Sequence, residues 1–366
     1  MAFESGSMSF RMFYLPRTLP DDAVKKFAAH AAPPLDTIGV GEVRGWVTGR
    51  HLLDRAINEN TAFYGGYLRL ALRTAERRIP PALFRAECRM EELALMAAES
   101  KPFVKSSERA EIRKSVTDRL LPNMPPQLKA IPFIHQMGER WLAVSALSIG
   151  QSDQFASSFT SALGFSPVPL MPEAAAMQRR KVDVSDWRGT SFSPELDDDV
   201  MESRPGQEFL TWLWFMAETE EKVEIKDVGT VSLLVEGPLT FVREGNGAYI
   251  IVLKQGEPVN SAEAKTCLMS GKKLKQATLT LALNEQTWRT TLDADEFIFR
   301  SLQVPQSKES LDSISRFQER MTGLQQFNDV FFGLYDLFVE QRKSSAEWKR
   351  VSQALRKWAG SRDGRV

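Results

Sequence analysis

Five carboxylates crowd one short stretch of the chain, at Glu195, Asp197, Asp198, Asp199 and Glu202. Clustered oxygen ligands of this kind can hold Mg²⁺ and support phosphodiester hydrolysis. The competing reading is a solvated acidic linker, because adjacent carboxylates in a flexible stretch lack the fixed geometry that catalysis needs. The usual catalytic patterns fail on spacing. His30, His51 and His135 fall in separate segments without HxxxH or HExxH intervals, so neither a metal ligand set nor a Ser-His-Asp arrangement is signalled. Gly39, Gly41 and Gly45 miss the GxGxxG interval and no GxxxxGK[ST] occurs, which leaves no nucleotide-binding loop.

Cations are better ordered. Lys101, Lys105, Arg109 and Arg113 recur at every fourth residue, and on one continuous helix they drift only about 120° in total, forming a basic stripe. Ile112, Val116 and Leu120 follow on the same side, so such a helix is anchored at its end and projects its polar beginning. Segment 67–74 alternates as a half-buried strand does, with Leu68, Leu70 and Leu72 on one face and Arg69, Ala71 and Arg73 on a basic outer face. Lys272, Lys273 and Lys275 add a third group. Lys and Arg displayed in this way neutralise phosphates and release counterions without reading sequence. A merely solvated face is the plainer alternative, and an anionic membrane surface suits the basic side of the last helix equally well.

Elements able to carry these residues follow from periodicity. A strand at 7–15 precedes the basic strand; helical periodicity then places Leu83, Ala86, Met90, Leu93, Ala94 and Ala97 on one arc, and a second helix runs from Pro102 to Leu121. Together they predict a helical hairpin over about 80–121. A β-hairpin at 130–135 and 141–148 and a helix at 153–163 complete a first unit, residues 1–175. Residues 176–205 read as a polar acidic linker or insertion, and 206–366 as a second unit with strands at 230–235, 239–242, 249–253, 277–283 and 297–302, a helix near 261–269, a long helix over 310–341 and a last one opened by a capping box at Ser344–Glu347. The fold class is therefore α+β: two units with antiparallel sheets, a protruding helical hairpin and long C-terminal helices that need a large surface to lie on.

Totals exclude several classes. The 366 residues carry 47 basic and 47 acidic side chains, yet charge is unevenly spread: +3 over 1–175, −9 over 176–340 and +6 over 341–366. Two distant cysteines, Cys88 and Cys267, make neither a disulfide framework nor a structural zinc site and fit a reducing cytosol. The beginning of the chain lacks an apolar core typical of a signal peptide. The apolar run 209–217 has nine residues where a membrane-spanning helix needs ~20, so no membrane span is expected. Phe209, Trp212, Trp214 and Phe215 within it read as packing rather than base stacking, since Glu218, Glu220 and Glu221 would repel a nucleic-acid backbone.

The order of these pieces resembles one known family. Gly45-Trp46-Val47, the basic strand, the charged hairpin closing in Arg119-Leu120-Leu121-Pro122, the β-hairpin through Trp141, the exit at 166–170 and the run 270–283 are together similar to the bacterial RdgC family of recombination-associated DNA-binding proteins. The acidic linker and the helix at 209–217 resemble its longer branch. The resemblance implies a horseshoe subunit pairing into a ring-shaped homodimer, with duplex DNA through a basic hole, no sequence readout, no cofactor and no catalysis. It implies a functional link to RecA, a cytoplasmic, nucleoid-associated location, and possible use of single-stranded DNA as well. Lys254-Gln255 match a pair at the family's dimer contact, whereas the family's Phe after the Leu-Leu-Pro turn is replaced here by the run Asn123-Met124-Pro125. The expected phosphate contacts are Lys101, Lys105, Arg109, Arg113, Arg69, Arg73, Lys272 and Lys273. The rivals are a Mg²⁺-dependent nuclease using the 195–202 carboxylates and a protein-interaction scaffold built on the long helices.

Overall fold

Alternating segments pair edge to edge into thirteen strands of one sheet, every pairing antiparallel. The computed structural model describes residues 3–193, 203–220, 222–243, 249–306 and 312–361; the acidic group from Glu195 to Glu202 lies outside these. The first part of the chain supplies β1 (Met8–Tyr14), α1 (Ala23–Ala29), β2 (Glu42–Thr48), α2 (Glu59–Ala62), β3 (Phe63–Tyr64), β4 (Tyr67–Arg77), α3 (Pro81–Ala98), α4 (Ser106–Leu120), β5 (Pro126–Gln136), β6 (Trp141–Val144), α5 (Ile149–Leu163), β7 (Val168–Pro169) and α6 (Pro172–Ala175). The later part supplies α7 (Pro205–Thr219), β8 (Val223–Ile225), β9 (Gly229–Arg243), β10 (Tyr249–Leu253), α8 (Ala262–Met269), β11 (Lys273–Leu283), β12 (Gln286–Asp293), β13 (Ile298–Gln303), α9 (Ser313–Lys343) and α10 (Ser345–Gly360).

Strand order runs β10, β9, β11, β12, β13, β1, β6, β5, β4, β2, so the first strand joins the two expected units. Phe10 of β1 faces Phe299 of β13, while Arg11 pairs with Val144 of β6 on the other edge. Successive side chains of a strand point to opposite faces. Accordingly Met8, Phe10 and Met12 enter one core, with α7 and α9, and Phe13 enters another, with α1 and α5. β5 divides likewise, Ile134 going to the first core and Phe133 to the second.

Several expectations need correction. The segment after residue 175 is partly packed: a π-helix at Ala176–Arg180 ties Arg179 to Asp336 and Arg180 to Glu340 on α9, and Val182, Val184 and Phe192 are buried in the first core. The runs 230–235 and 239–242 are a single strand, β9. The outer face of β4 is covered, so the strand is buried on both faces. The long helix α9 finds its surface within the subunit: Phe317, Phe327, Phe331 and Phe338 all enter the first core, which removes the feature that motivated the scaffold reading.

In α7, Phe209, Trp212 and Trp214 are fully buried, and the acidic flank serves them: Glu218 accepts from the indoles of Trp214 (2.6 Å) and Trp358 (2.8 Å). Buried indole N–H groups need such acceptors. No helix among the described residues is long and apolar enough to cross a membrane.

Candidate nucleic-acid interface

β4 and β5 remain paired from Tyr67–Gln136 to Arg77–Pro126. Everything between Arg77 and Pro126 must therefore stand beyond the end of the strand pair. That connection is the hairpin of α3 and α4, in which only Cys88 and Val116 of the two helices are buried. Arg119 clamps it by reaching Glu87 and Glu91 of α3, each at 3.0 Å. The apolar arc of α3 does not face a core in this subunit: Leu83, Met90 and Leu93 are exposed, as is Phe103 in the turn.

α4 begins at Ser106, later than the spacing suggested, because the chain through Pro102 and Phe103 forms the turn. The four-residue cation series is therefore broken at its first member. Lys101 folds back onto Glu99 and onto Glu108 at 2.9 Å, and Glu108 also accepts the Lys105 backbone N–H at 2.8 Å. Beside Glu99 and Glu108 the Lys101 ammonium is pushed up to about 12. Glu108 is held below its ordinary range, chiefly by Lys101 and then by the Lys105 amide. Lys101 is therefore neutralised by the hairpin's own carboxylates.

The remaining three form the row. Lys105 sits at the N-cap of α4, and Arg109 and Arg113 follow on the helix, all exposed. Arg109 has only a long contact to Glu92, 3.8 Å. Lys114, also exposed beside Arg113, was missed because it lies off the every-fourth-residue spacing. Cations at i and i+4 repel one another, and an approaching polyanion relieves that repulsion.

The other expected phosphate contacts turn inward. Arg69 is buried, paired with Glu4 and stacked 4.5 Å over the Tyr64 ring. Arg73 is 1% exposed and donates to the carbonyls of Leu52 and Pro33. Burial holds both guanidiniums below their ordinary range. Lys273 pairs with Glu208 at 3.1 Å and Lys272 donates to Ser270 Oγ at 2.6 Å, both side chains buried. Alternation and local charge suggested solvent for these four, but the N-terminal segment covers Arg69, the 31–38 strap Arg73 and α7 Lys273, while Lys272 turns back onto Ser270. Lys254 and Gln255 are exposed just after β10, where Lys254 lines a cleft with Glu236, Pro258 and Arg289.

Among the described residues no group of three or more His, Cys, Asp or Glu side chains could hold a metal ion. Sheet and hairpin define an α+β protein built on an antiparallel sheet, with its exposed cation row carried on a helical projection. Residues 18–190 match the RdgC family model, described as "Putative exonuclease, RdgC", which supports an RdgC family assignment. No curated protein matches the chain.

Proposed function

We propose that the chain binds double-stranded DNA without sequence preference, as a homodimer that encloses the duplex and modulates RecA-mediated recombination at the nucleoid, and that it catalyses no reaction itself. The observation that carries the reading is the row Lys105, Arg109 and Arg113, exposed on a hairpin that stands beyond the sheet. Three cations on one helix face can meet successive phosphates, and the counterions they release make binding favourable and steeply salt-dependent. Dimerisation is supported by the exposed apolar arc Leu83, Met90 and Leu93, which an isolated subunit leaves in water, and by the exposed Lys254-Gln255 turn.

A second reading follows from the family description, which names an exonuclease, and from the carboxylates Glu195, Asp197, Asp198, Asp199 and Glu202. One experiment separates the two. A labelled random-sequence duplex is titrated with protein in Mg²⁺ across a salt series and then run on a denaturing gel. Intact DNA, with log affinity falling by roughly 0.9 per phosphate neutralised, supports enclosure. Cut DNA that becomes intact with Asp198→Asn and Asp199→Asn moves the function to the carboxylates, and no binding at low salt sinks both.

A further inference from the structure

Among the described residues Arg73 has no counter-charge. Its terminal nitrogens donate to the Leu52 and Pro33 carbonyls, and its Nε has no partner. Arg55 donates through Nε to the carbonyl of Ala32, one peptide before Pro33. The two guanidiniums thus grip consecutive carbonyls of one strap and lie side by side. Among the described residues no carboxylate is within ion-pair distance of either: Asp54, next in sequence, is engaged by Thr48 Oγ1 at 2.7 Å and the Ala56 amide at 3.2 Å. Arg11 and Arg69, also buried, have Glu296 and Glu4. Arg320 too is held by carbonyls, of Phe3 and Gly6.

A buried charge without a partner is costly, and its field is weakly screened because water and salt are excluded from around it. That field emerges at loop 49–56, where Arg50, His51 and Arg55 are exposed. Arg55 spends only its Nε on the strap, leaving the terminal nitrogens, whose planar fork suits a phosphate.

We propose that loop 49–56 is an oxyanion site, in which a phosphate group is held by the exposed Arg55 fork above the buried Arg73. The phosphate is either inorganic or part of a nucleic-acid backbone; the second source rests on the reading of DNA binding above, the first does not. Arg55 is the direct contact and Arg73 acts through its field.

The test measures thermal unfolding of the full chain in inorganic phosphate against chloride at matched ionic strength, for wild type, Arg55→Gln, Arg55→Lys and the surface control Arg350→Gln. A second arm measures the salt slope of duplex binding for the same proteins. Phosphate at tenfold excess over its Kd should raise Tm by about 2 °C. The rise should vanish in Arg55→Gln, persist in part in Arg55→Lys and be unchanged in Arg350→Gln. If Arg55→Gln also lowers the duplex slope by about 0.9 while Arg350→Gln does not, the site takes backbone phosphate; an unchanged slope assigns it to free phosphate. If Arg55→Gln alters neither the phosphate response nor the slope relative to Arg350→Gln, there is no such site. A wild type that ignores duplex fails the function proposed above, and the phosphate arm alone then decides this one.

Discussion

Lys273 Nζ lies 3.1 Å from Glu208 Oε1, with both side chains buried, and Arg342 Nε approaches the other oxygen of the same carboxylate at 3.1 Å. One carboxylate thus contacts two cations where β11, α7 and α9 meet, and the Thr190 amide also donates to it at 2.9 Å. Lys273 is a part of the fold, although its run of basic neighbours suggests a phosphate contact.

Removing that anion should be severe. Glu208→Gln removes the carboxylate that Lys273 and Arg342 share, and breaking a buried pair typically costs about 3–5 kcal/mol. Denaturant unfolding should show a loss of that size, whereas Lys273→Met, which keeps the Arg342 pair, should lose less. Equal losses would mean that Arg342 and Glu208 do not form a sufficient pair alone.

In the hairpin, cations that look alike in sequence should differ in effect. Lys105→Gln, Arg109→Gln and Arg113→Gln should each lower the salt slope of duplex binding by roughly 0.9. Lys101→Gln should leave it nearly unchanged, because Glu99 and Glu108 already neutralise that ammonium. A Lys101 effect as large as that of Arg113 would show that DNA displaces the internal carboxylates.

His135 should give stability an acid-side slope. Its Nδ1–H donates to the Trp141 carbonyl at 2.8 Å, its Nε2 has no partner, and burial depresses its pKa below 6.5. The unfolded chain therefore takes up the proton first, and stability is lost as pH falls from 6.5 toward the folded pKa. Urea midpoints at pH 7.5 and 5.5 check this: the advantage of wild type over His135→Gln should shrink at pH 5.5, and parallel curves would contradict it.

Gly45 should tolerate no side chain. A Cβ there would lie 2.3 Å from Ala32 Cα, where the strap crosses β2 with the Ala32 amide donating to the Trp46 carbonyl at 2.8 Å. Backbone on both sides leaves nothing to rotate away, so Gly45→Ala should cost about 1–3 kcal/mol, measurable as a lower unfolding midpoint.

Sequence periodicity located what local geometry controls. α9 was legible from Phe317, Met321, Leu324 and Phe331, and the turn between β5 and β6 from Gly138, which adopts φ +89°. The helical hairpin was visible too, but its basic row was one residue too long because the turn through Phe103 has no periodic signature. What covers the second face of a strand was not legible: Arg69 and Arg73 alternate with leucines as surface residues do, and only contacts from Glu4 and Pro33, 65 and 40 residues earlier, bring them inside. Arg55 had no spacing to mark it, since its neighbour in space is Arg73 and not anything adjacent in the chain.

Strand β1 occupies the middle of the sheet although it is made first, and its partner β13 arrives about 290 residues later, as in Phe10 opposite Phe299. During synthesis the edge of β1 that faces β13 must wait, with its amides and carbonyls unpaired, while the β6 side can already close. Late long-range pairing of this kind slows folding and leaves an open strand edge on the growing chain. A late step of assembly is thus a seam that closes at the centre of the molecule, and any truncation before β13 should leave that seam open to pairing with other chains.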